Sequence, residues 1–190
     1  LIAQQDLDAS ASSVIFSELA SADYDSFEII GTCRSDYTGT TTFTHSDALN
    51  LRFGVSDSIV TTAGKYEWSD VSCGNGAASL DGEGVRASSG GATTSYMRVA
   101  RIPDNYGVSG AASLFRGASI RIRLFGLASG QYPTVQSTCG FASGYNPGPG
   151  NNLRDGWSMN VGRYMDSDAI TDLELKPLNG SNFDSAAGET

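Results

Sequence analysis

The sequence contains few positive charges, and this limits the partners it can bind. Its 190 residues include 12 Lys and Arg against 21 Asp and Glu, for a formal net charge of −9. Only Lys65 and Lys176 are lysines, and the other basic residues are arginines. Domains that bind nucleic acid usually present basic patches or stripes. We therefore expect no nucleic-acid partner.

Histidine and cysteine are also scarce, which limits the metal sites and disulfides that the chain can form. His45 is the only histidine, so one chain cannot supply a pair of histidine ligands. Cys33, Cys73 and Cys139 are far apart in sequence and show no CxxC spacing. They predict neither a zinc site nor a disulfide framework, and their odd number leaves one thiol free unless two chains pair. We expect no metal, no cofactor, and thiols that are buried and unreactive.

Long apolar runs are absent as well. No stretch approaches the ~20 apolar residues of a membrane-spanning helix, so no membrane insertion is expected. No basic segment followed by an apolar one marks a signal peptide. No segment shows a convincing helical period, which favours a domain built from β-strands alone.

Instead, apolar residues alternate with other residues in short runs, as in half-buried strands. Within residues 47–56, Leu49, Leu51, Phe53 and Val55 share one face. We expect this strand and the preceding one, residues 24–31, to form the centre of the fold. Further strand patterns cover residues 12–19, 65–69, 95–102, 118–127, 132–142, 157–161 and 169–175.

Together these strands predict an all-β fold, an antiparallel two-sheet sandwich that is jelly-roll-like. A single domain is expected over residues 1–190, with residues 1–11 as an N-terminal arm. Residues 72–91 are rich in Gly, Ser and Ala and are expected to be the least structured part. In residues 95–102, strict alternation places Arg98 and Arg101 on opposite faces.

A series of short motifs follows a recognisable order. They are Tyr-Asp-Ser-Phe at residues 24–27, Leu-Asn-Leu-Arg-Phe-Gly at 49–54, Gly-Lys-Tyr-Glu-Trp at 64–68, Gly-Glu-Gly at 82–84, Ile-Pro at 102–103, Ala-Ile-Thr-Asp-Leu-Glu-Leu at 169–175 and Asn-Phe at 182–183. This order resembles a loosely defined family of bacteriophage virion proteins, which occur as tail or fibre modules and as head-surface proteins. The resemblance covers residues 24–183, and it implies virion assembly or host-surface contact without catalytic residues.

Members of that family usually end with one more apolar strand, of the type Phe-Ser-Leu-Tyr-Gly. This sequence ends at Thr190, where that strand is expected to begin. The resemblance therefore predicts a missing final strand and a sheet edge that is open to a neighbouring chain.

Arginine and aromatic residues in or beside loops are the candidates for binding contacts. Such residues are common anchors at protein interfaces, and aromatic rings also stack on sugars. Core packing is the alternative for Trp157, as it is the expectation for Trp68. The candidate contact residues are Arg34, Tyr37, His45, Tyr106, Tyr145 and Trp157.

Patterns that suggest catalysis are weak. His45, Ser46 and Asp47 have the residue types of a hydrolytic triad, but neighbours on an extended chain point away from each other. None of the acidic clusters has the spacing of an EF-hand loop, and carboxylates of this kind commonly form turns. These clusters are Asp23 with Asp25, Asp81 with Glu83, and Asp166 with Asp168 and Asp172.

The sequence thus favours a non-enzymatic structural component of a phage virion, exposed on the particle as a capsid decoration (cement) protein or a tail-fibre module. Its expected partners are copies of itself, in a homo-oligomer, and other capsid or tail proteins. One alternative is a receptor-binding module that recognises host surface glycans during attachment. Another is a glycan-degrading enzyme, since a glycosidase needs only two carboxylates at a suitable separation.

Overall fold

The described part of the chain consists of strands and their connections. The computed structural model describes residues 9–19, 23–37, 46–75, 83–91, 93–103, 117–128, 130–143 and 154–183. None of these segments is a helix long and apolar enough to cross a membrane. In chain order the strands are β1 (Val14–Phe16), β2 (Ser26–Cys33), β3 (Ser46–Val55), β4 (Ser58–Ile59), β5 (Tyr66–Asn75), β6 (Glu83–Gly90), β7 (Met97–Pro103), β8 (Ala118–Phe125), β9 (Thr134–Ser143), β10 (Arg154–Tyr164) and β11 (Asp172–Pro177).

The strands form two antiparallel sheets, which confirms the predicted all-β sandwich. The smaller sheet has the order β1-β11-β3-β4, and β7 also pairs with β3. The larger sheet has the order β2-β8-β9-β10-β5-β6. The chain passes repeatedly from one sheet to the other, as in jelly-roll-like sandwiches.

The prediction that residues 24–31 and 47–56 together form the centre of the fold is wrong in part. β3 is central in the smaller sheet, but β2 lies at the edge of the larger sheet, where β8 is its pairing partner. The two strands therefore belong to different sheets. Alternation within a strand predicts which face is buried, but it does not predict the neighbouring strand.

The expectation for residues 72–91 is also wrong in part. β5 continues to Asn75, and β6 pairs with it over eight residues, from Glu83 to Gly90. The main-chain hydrogen bonds of a sheet do not require large side chains, so Gly, Ser and Ala can form a strand when a partner strand lies beside them.

The core lies between the sheets and includes a group of three aromatic rings. The ring centroid of Tyr164 lies 5.3 Å from those of both Phe53 and Tyr66. The Tyr66 hydroxyl donates to the Val60 carbonyl at 2.8 Å and accepts from the Phe53 N–H at 3.1 Å. Burial raises the pKa of the phenol groups of Tyr66 and Tyr164. The hydroxyl of Tyr66 is thus satisfied within an otherwise apolar core.

β7 contains one irregularity that changes which residues share a face. The β3 partners of Arg98 and Ala100 are adjacent residues, so Val99 has no partner of its own in that pairing. An extra residue of this kind is a β-bulge. Because the bulge shifts the alternation by one position, Arg98 and Arg101 share a face, and the expectation of opposite faces is wrong.

Candidate binding surface

β10 buries its polar residues and exposes its apolar ones. Asn160 is only 3% exposed and Ser158 is buried, whereas Trp157 is 43% exposed and Met159 and Val161 are each 56% exposed. A strand with one face on the core usually shows the opposite arrangement. The hydrophobic pattern of β10 is therefore inverted relative to the core.

The inversion extends to the neighbouring strand, β5. Asp70 and Ser72 are buried, while Val71 between them is 41% exposed. In the pairing of the two strands, Val71 lies opposite Met159, and Asp70 lies opposite Asn160. Two adjacent strands thus present apolar side chains on the outer face of the larger sheet.

One cause of the inversion is the strict alternation of side chains along a strand. Tyr164 and Tyr66 lie opposite each other in β10 and β5, and both are buried in the core. Side chains two residues apart point to the same side. Burial of Tyr164 therefore turns Ser158 and Asn160 inward as well, and burial of Tyr66 does the same for Asp70.

A second cause is that the buried polar side chains bind the free edge of β7. Among the described strands β7 pairs with β3 alone, so its other edge needs hydrogen-bond partners. Inward-facing residues of β9 and β10 supply them, and Asn160 Nδ2 donates at 2.9 Å. The contacts are Ser137 and Asn160 donating to the Val99 carbonyl, Ser158 accepting from the Arg101 N–H, and Cys139 donating to the Arg101 carbonyl.

An ionic cluster also connects β5 of the larger sheet to β7 of the smaller sheet. The Asp70 carboxylate is buried and lies 3.7 Å from both the Arg98 and the Arg101 guanidinium groups. The Arg98 guanidinium also lies 4.6 Å from the centroid of the Trp68 ring, at cation–π distance. The bulge at Val99 is what brings both arginines to this side. A buried carboxylate is stable here because two cations accompany it.

We name Val71, Trp157, Met159 and Val161 the apolar stripe. It lies on the outer face of the larger sheet, where the residues of β9 beside it are small or polar. Gly140 is opposite Trp157, and no atom of the described residues lies within 4 Å of the space where its side chain would stand. Beside Trp157, the β9 side of the stripe therefore carries no side chain and is accessible to a partner.

Further along the same face, charged residues form a local ion-pair group. Glu28 on β2 accepts from Arg121 at 2.6 Å and from Arg123 at 2.8 Å. These hydrogen bonds, first from Arg121 and then from Arg123, lower the pKa of Glu28 to about 2. Two arginines share one carboxylate, so this part of the face is locally positive in a chain of net charge −9. The apolar stripe thus shares the outer face of the larger sheet with an ion-pair group on β2 and β8.

The predicted contact residues occupy different parts of the fold. Trp157 lies in the apolar stripe and not in the core, whereas Trp68 is buried as expected. His45, Tyr106 and Tyr145 lie outside the described residues.

Arg34 and Tyr37 are half-buried and follow β2, beside a hydrogen-bond network that holds their segment in place. The buried Asp47 carboxylate accepts from Ser35 Oγ at 2.9 Å and from the Gly180 N–H at 2.8 Å. Its remaining donors are the Ala48 N–H and both nitrogens of Asn179, and Asp36 similarly accepts from both nitrogens of Asn182. The carboxylate of the His45-Ser46-Asp47 sequence therefore has a structural role in this fold.

The structure also describes two of the three thiols. Cys33 and Cys139 are free, and burial raises the pKa of each thiol to about 12. Such thiols are protonated and poorly nucleophilic near neutral pH. Within the described ranges, no group of three or more His, Cys, Asp and Glu side chains could hold a metal ion.

Sequence reasoning missed Val71, Met159 and Val161 as surface residues. A signal was present, because Tyr164 is in phase with Ser158 and Asn160, but the predicted strand ended at residue 161 and left that tyrosine out. Comparison with known proteins adds no further clue, because no family model, no curated protein and no solved structure matches the chain.

Proposed function

We propose that this protein is a non-enzymatic structural component of a phage virion, exposed on the particle surface, and that the apolar stripe contacts a neighbouring virion protein. The observation that carries the proposal is the inversion of β10, which exposes Trp157 and Met159 and buries Asn160. The order of the sequence motifs supports the assignment to a virion. The contact chemistry supports a protein partner.

The size of the stripe supports an interaction site. From their exposed fractions, its four side chains present on the order of 400 Å² of surface, similar to the largest apolar patch of a typical monomer. At about 25 cal/mol per Å², covering this area favours association by on the order of 10 kcal/mol before the costs of ordering two chains. A partner that covers the stripe therefore gains much of its affinity there.

The composition of the stripe favours protein over sugar. Met159, Val161 and Val71 are aliphatic and offer no hydrogen bonds to hydroxyl groups, and Trp157 is the single aromatic ring among them. Methionine and tryptophan are enriched in the centres of protein interfaces, where a polar rim surrounds them. The locally positive flank at Arg121 and Arg123 suits a partner that carries a carboxylate beside its apolar segment.

The test is incorporation into particles. Phage particles are assembled in the presence of the wild-type chain or of the double variant Trp157→Ser/Met159→Ser, and the copies per purified particle are counted by quantitative mass spectrometry. A matched control, Gln136→Ser/Thr138→Ser, changes polar residues on the same face. We expect the wild-type chain and the control to be incorporated and the stripe variant to be lost by at least tenfold, with unchanged circular dichroism.

Copy number also separates the two virion locations. A number close to that of the capsid protein indicates decoration, and a few copies indicate the tail. Absence of the wild-type chain from particles, or full incorporation of the stripe variant, contradicts the proposal. Binding of the wild-type chain to host polysaccharide that is lost in Trp157→Ser would instead favour the glycan-binding alternative.

A further inference from the structure

β2 is an open edge of the larger sheet. Its eight residues pair with β8 along one side, and no described strand pairs with its other side. Ile30, in the middle of β2, is 69% exposed, more than any other large hydrophobic residue that the structure describes. An edge of this kind presents a row of unpaired main-chain donors and acceptors that another chain can extend.

Four features that commonly protect an edge strand are missing from the described residues of β2. It has no proline, and its pairing with β8 runs from Ser26 to Cys33 without a register shift. Its one charged residue, Glu28, is held by Arg121 and Arg123 of β8, on the side away from the open edge. Short length, proline, bulges and unpaired charges are the common means of preventing edge pairing. β2 uses none of them.

We propose that β2 pairs with β2 of a second copy of this chain, antiparallel about a two-fold axis at Ile30. The two larger sheets then join into one continuous sheet. A two-fold contact uses the same surface on both copies, so the edge must complement itself. The pattern of β2 favours a register centred on Ile30 over one centred on Ile29.

The register follows from the alternation of β2. Its even-numbered residues are exposed on the outer face, and its odd-numbered residues are partly buried. Opposite residues in an antiparallel pair lie on the same face, so even-numbered residues must pair with even-numbered ones. With Ile30 opposite Ile30 of the second copy, Glu28 lies opposite Thr32. With Ile29 opposite itself, Glu28 would lie opposite Ile30, which places a charge against an apolar side chain. The register centred on Ile30 is therefore favoured.

The joined sheet has a consequence for the assembly. A two-fold axis of this kind is perpendicular to the sheet, so the outer faces of both copies point in the same direction. The dimer then presents two apolar stripes on one side. The inference rests on β2 and does not depend on the proposed role of the stripe, but it is compatible with attachment of both copies to one particle surface.

The test is disulfide formation by single cysteine variants under mild oxidation. In Ile30→Cys the two introduced residues lie opposite each other, with Cα atoms ~4.5–5.5 Å apart, within reach of a disulfide. We expect this variant to form a covalent dimer and the wild-type chain, with its own three cysteines, to form none. Glu28→Cys alone should not link to itself, because its counterpart is four residues away, ~13 Å along the strand. A mixture of Glu28→Cys and Thr32→Cys chains should link to each other.

Sedimentation velocity provides a second measurement on chains without added cysteine. We expect a concentration-dependent dimer of the wild-type chain that Ile30→Lys converts to monomer, with unchanged circular dichroism. A wild-type chain that stays monomeric at high concentration overturns the proposal. So does a dimer that survives Ile30→Lys and is lost in Trp157→Ser, or equal self-linking of Glu28→Cys and Ile30→Cys. Failure here leaves the particle-incorporation test unaffected, so the two proposals fail separately.

Discussion

Two neighbouring residues of β10 provide a quantitative test of the inverted strand. Asn160→Ala removes the Nδ2 donor to the Val99 carbonyl, a 2.9 Å hydrogen bond in a buried site. A buried acceptor that loses its partner costs about 1–3 kcal/mol. Ser137 also donates to this carbonyl and compensates in part, so we expect a loss of about 1–2 kcal/mol in the free energy of unfolding.

Met159→Ala is the matched change one residue earlier. The Met159 side chain is more than half exposed, so its truncation should change the free energy of unfolding by no more than about 0.5 kcal/mol. If Met159 were in the core, the same truncation would cost about 2–5 kcal/mol. An exposed and a buried Met159 therefore predict losses in the free energy of unfolding that differ several-fold.

The assay is urea denaturation of both variants beside the wild-type chain, followed by circular dichroism. Leu124→Ala, in the core of β8, serves as the positive control and should cost about 2–5 kcal/mol. We expect the order of destabilisation to be Leu124→Ala, then Asn160→Ala, then Met159→Ala. A loss for Met159→Ala that exceeds the loss for Asn160→Ala would refute the inverted arrangement.

Three further predictions concern other parts of the fold. The pKa of Glu28 is lowered from 4.5 to about 2, so its ion pairs stabilise the fold above pH 4.5 and are lost as the pH falls through 2; the difference in urea midpoint between wild type and Glu28→Gln should be small and positive at pH 7 and clearly smaller at pH 2. Because burial raises the pKa of the Cys33 and Cys139 thiols to about 12, iodoacetamide should label both slowly at pH 8 in the native protein and rapidly in urea, as read by peptide mass spectrometry; equal rates would contradict their burial. Gly180→Ala places a methyl group against Ser35 Oγ and should destabilise the fold by about 1–3 kcal/mol, whereas Gly140→Ala, in open space, should be neutral or slightly stabilising in thermal unfolding; a similar loss for both would contradict the crowded environment of Gly180.

Much of the fold follows from alternation in the sequence. Leu49, Leu51 and Phe53 are buried on one face of β3, as their spacing predicts. In β8, residues 120, 122 and 124 are buried while Arg121 and Arg123 are exposed, in the same alternation. In these strands the apolar face and the core face coincide, so local chemistry is sufficient to assign burial.

Alternation fails to predict the buried face where a strand must also provide hydrogen bonds to the other sheet. In β10 the apolar face is outside, because Asn160 and Ser158 bind the main chain of β7 and Tyr164 fixes the phase. In β7 the extra residue Val99 reverses the expected side of Arg101. Both effects arise from contacts between distant parts of the chain, and a period-of-two analysis of one strand contains no information about them. The candidate site lies in this region, which is why sequence reasoning identified Trp157 but not its neighbours.

Tryptophan fluorescence tests the central claim, the exposure of the apolar stripe, most directly. Trp157 and Trp68 are the two tryptophans, and the conservative variant Trp157→Phe leaves the buried Trp68 as the single emitter. Subtraction of its spectrum from the wild-type spectrum gives the emission of Trp157. We predict that this difference emission is red-shifted and strongly quenched by acrylamide, while the emission of Trp157→Phe is blue-shifted and weakly quenched. A blue-shifted difference emission that acrylamide does not quench would show that Trp157 is buried and would contradict the account.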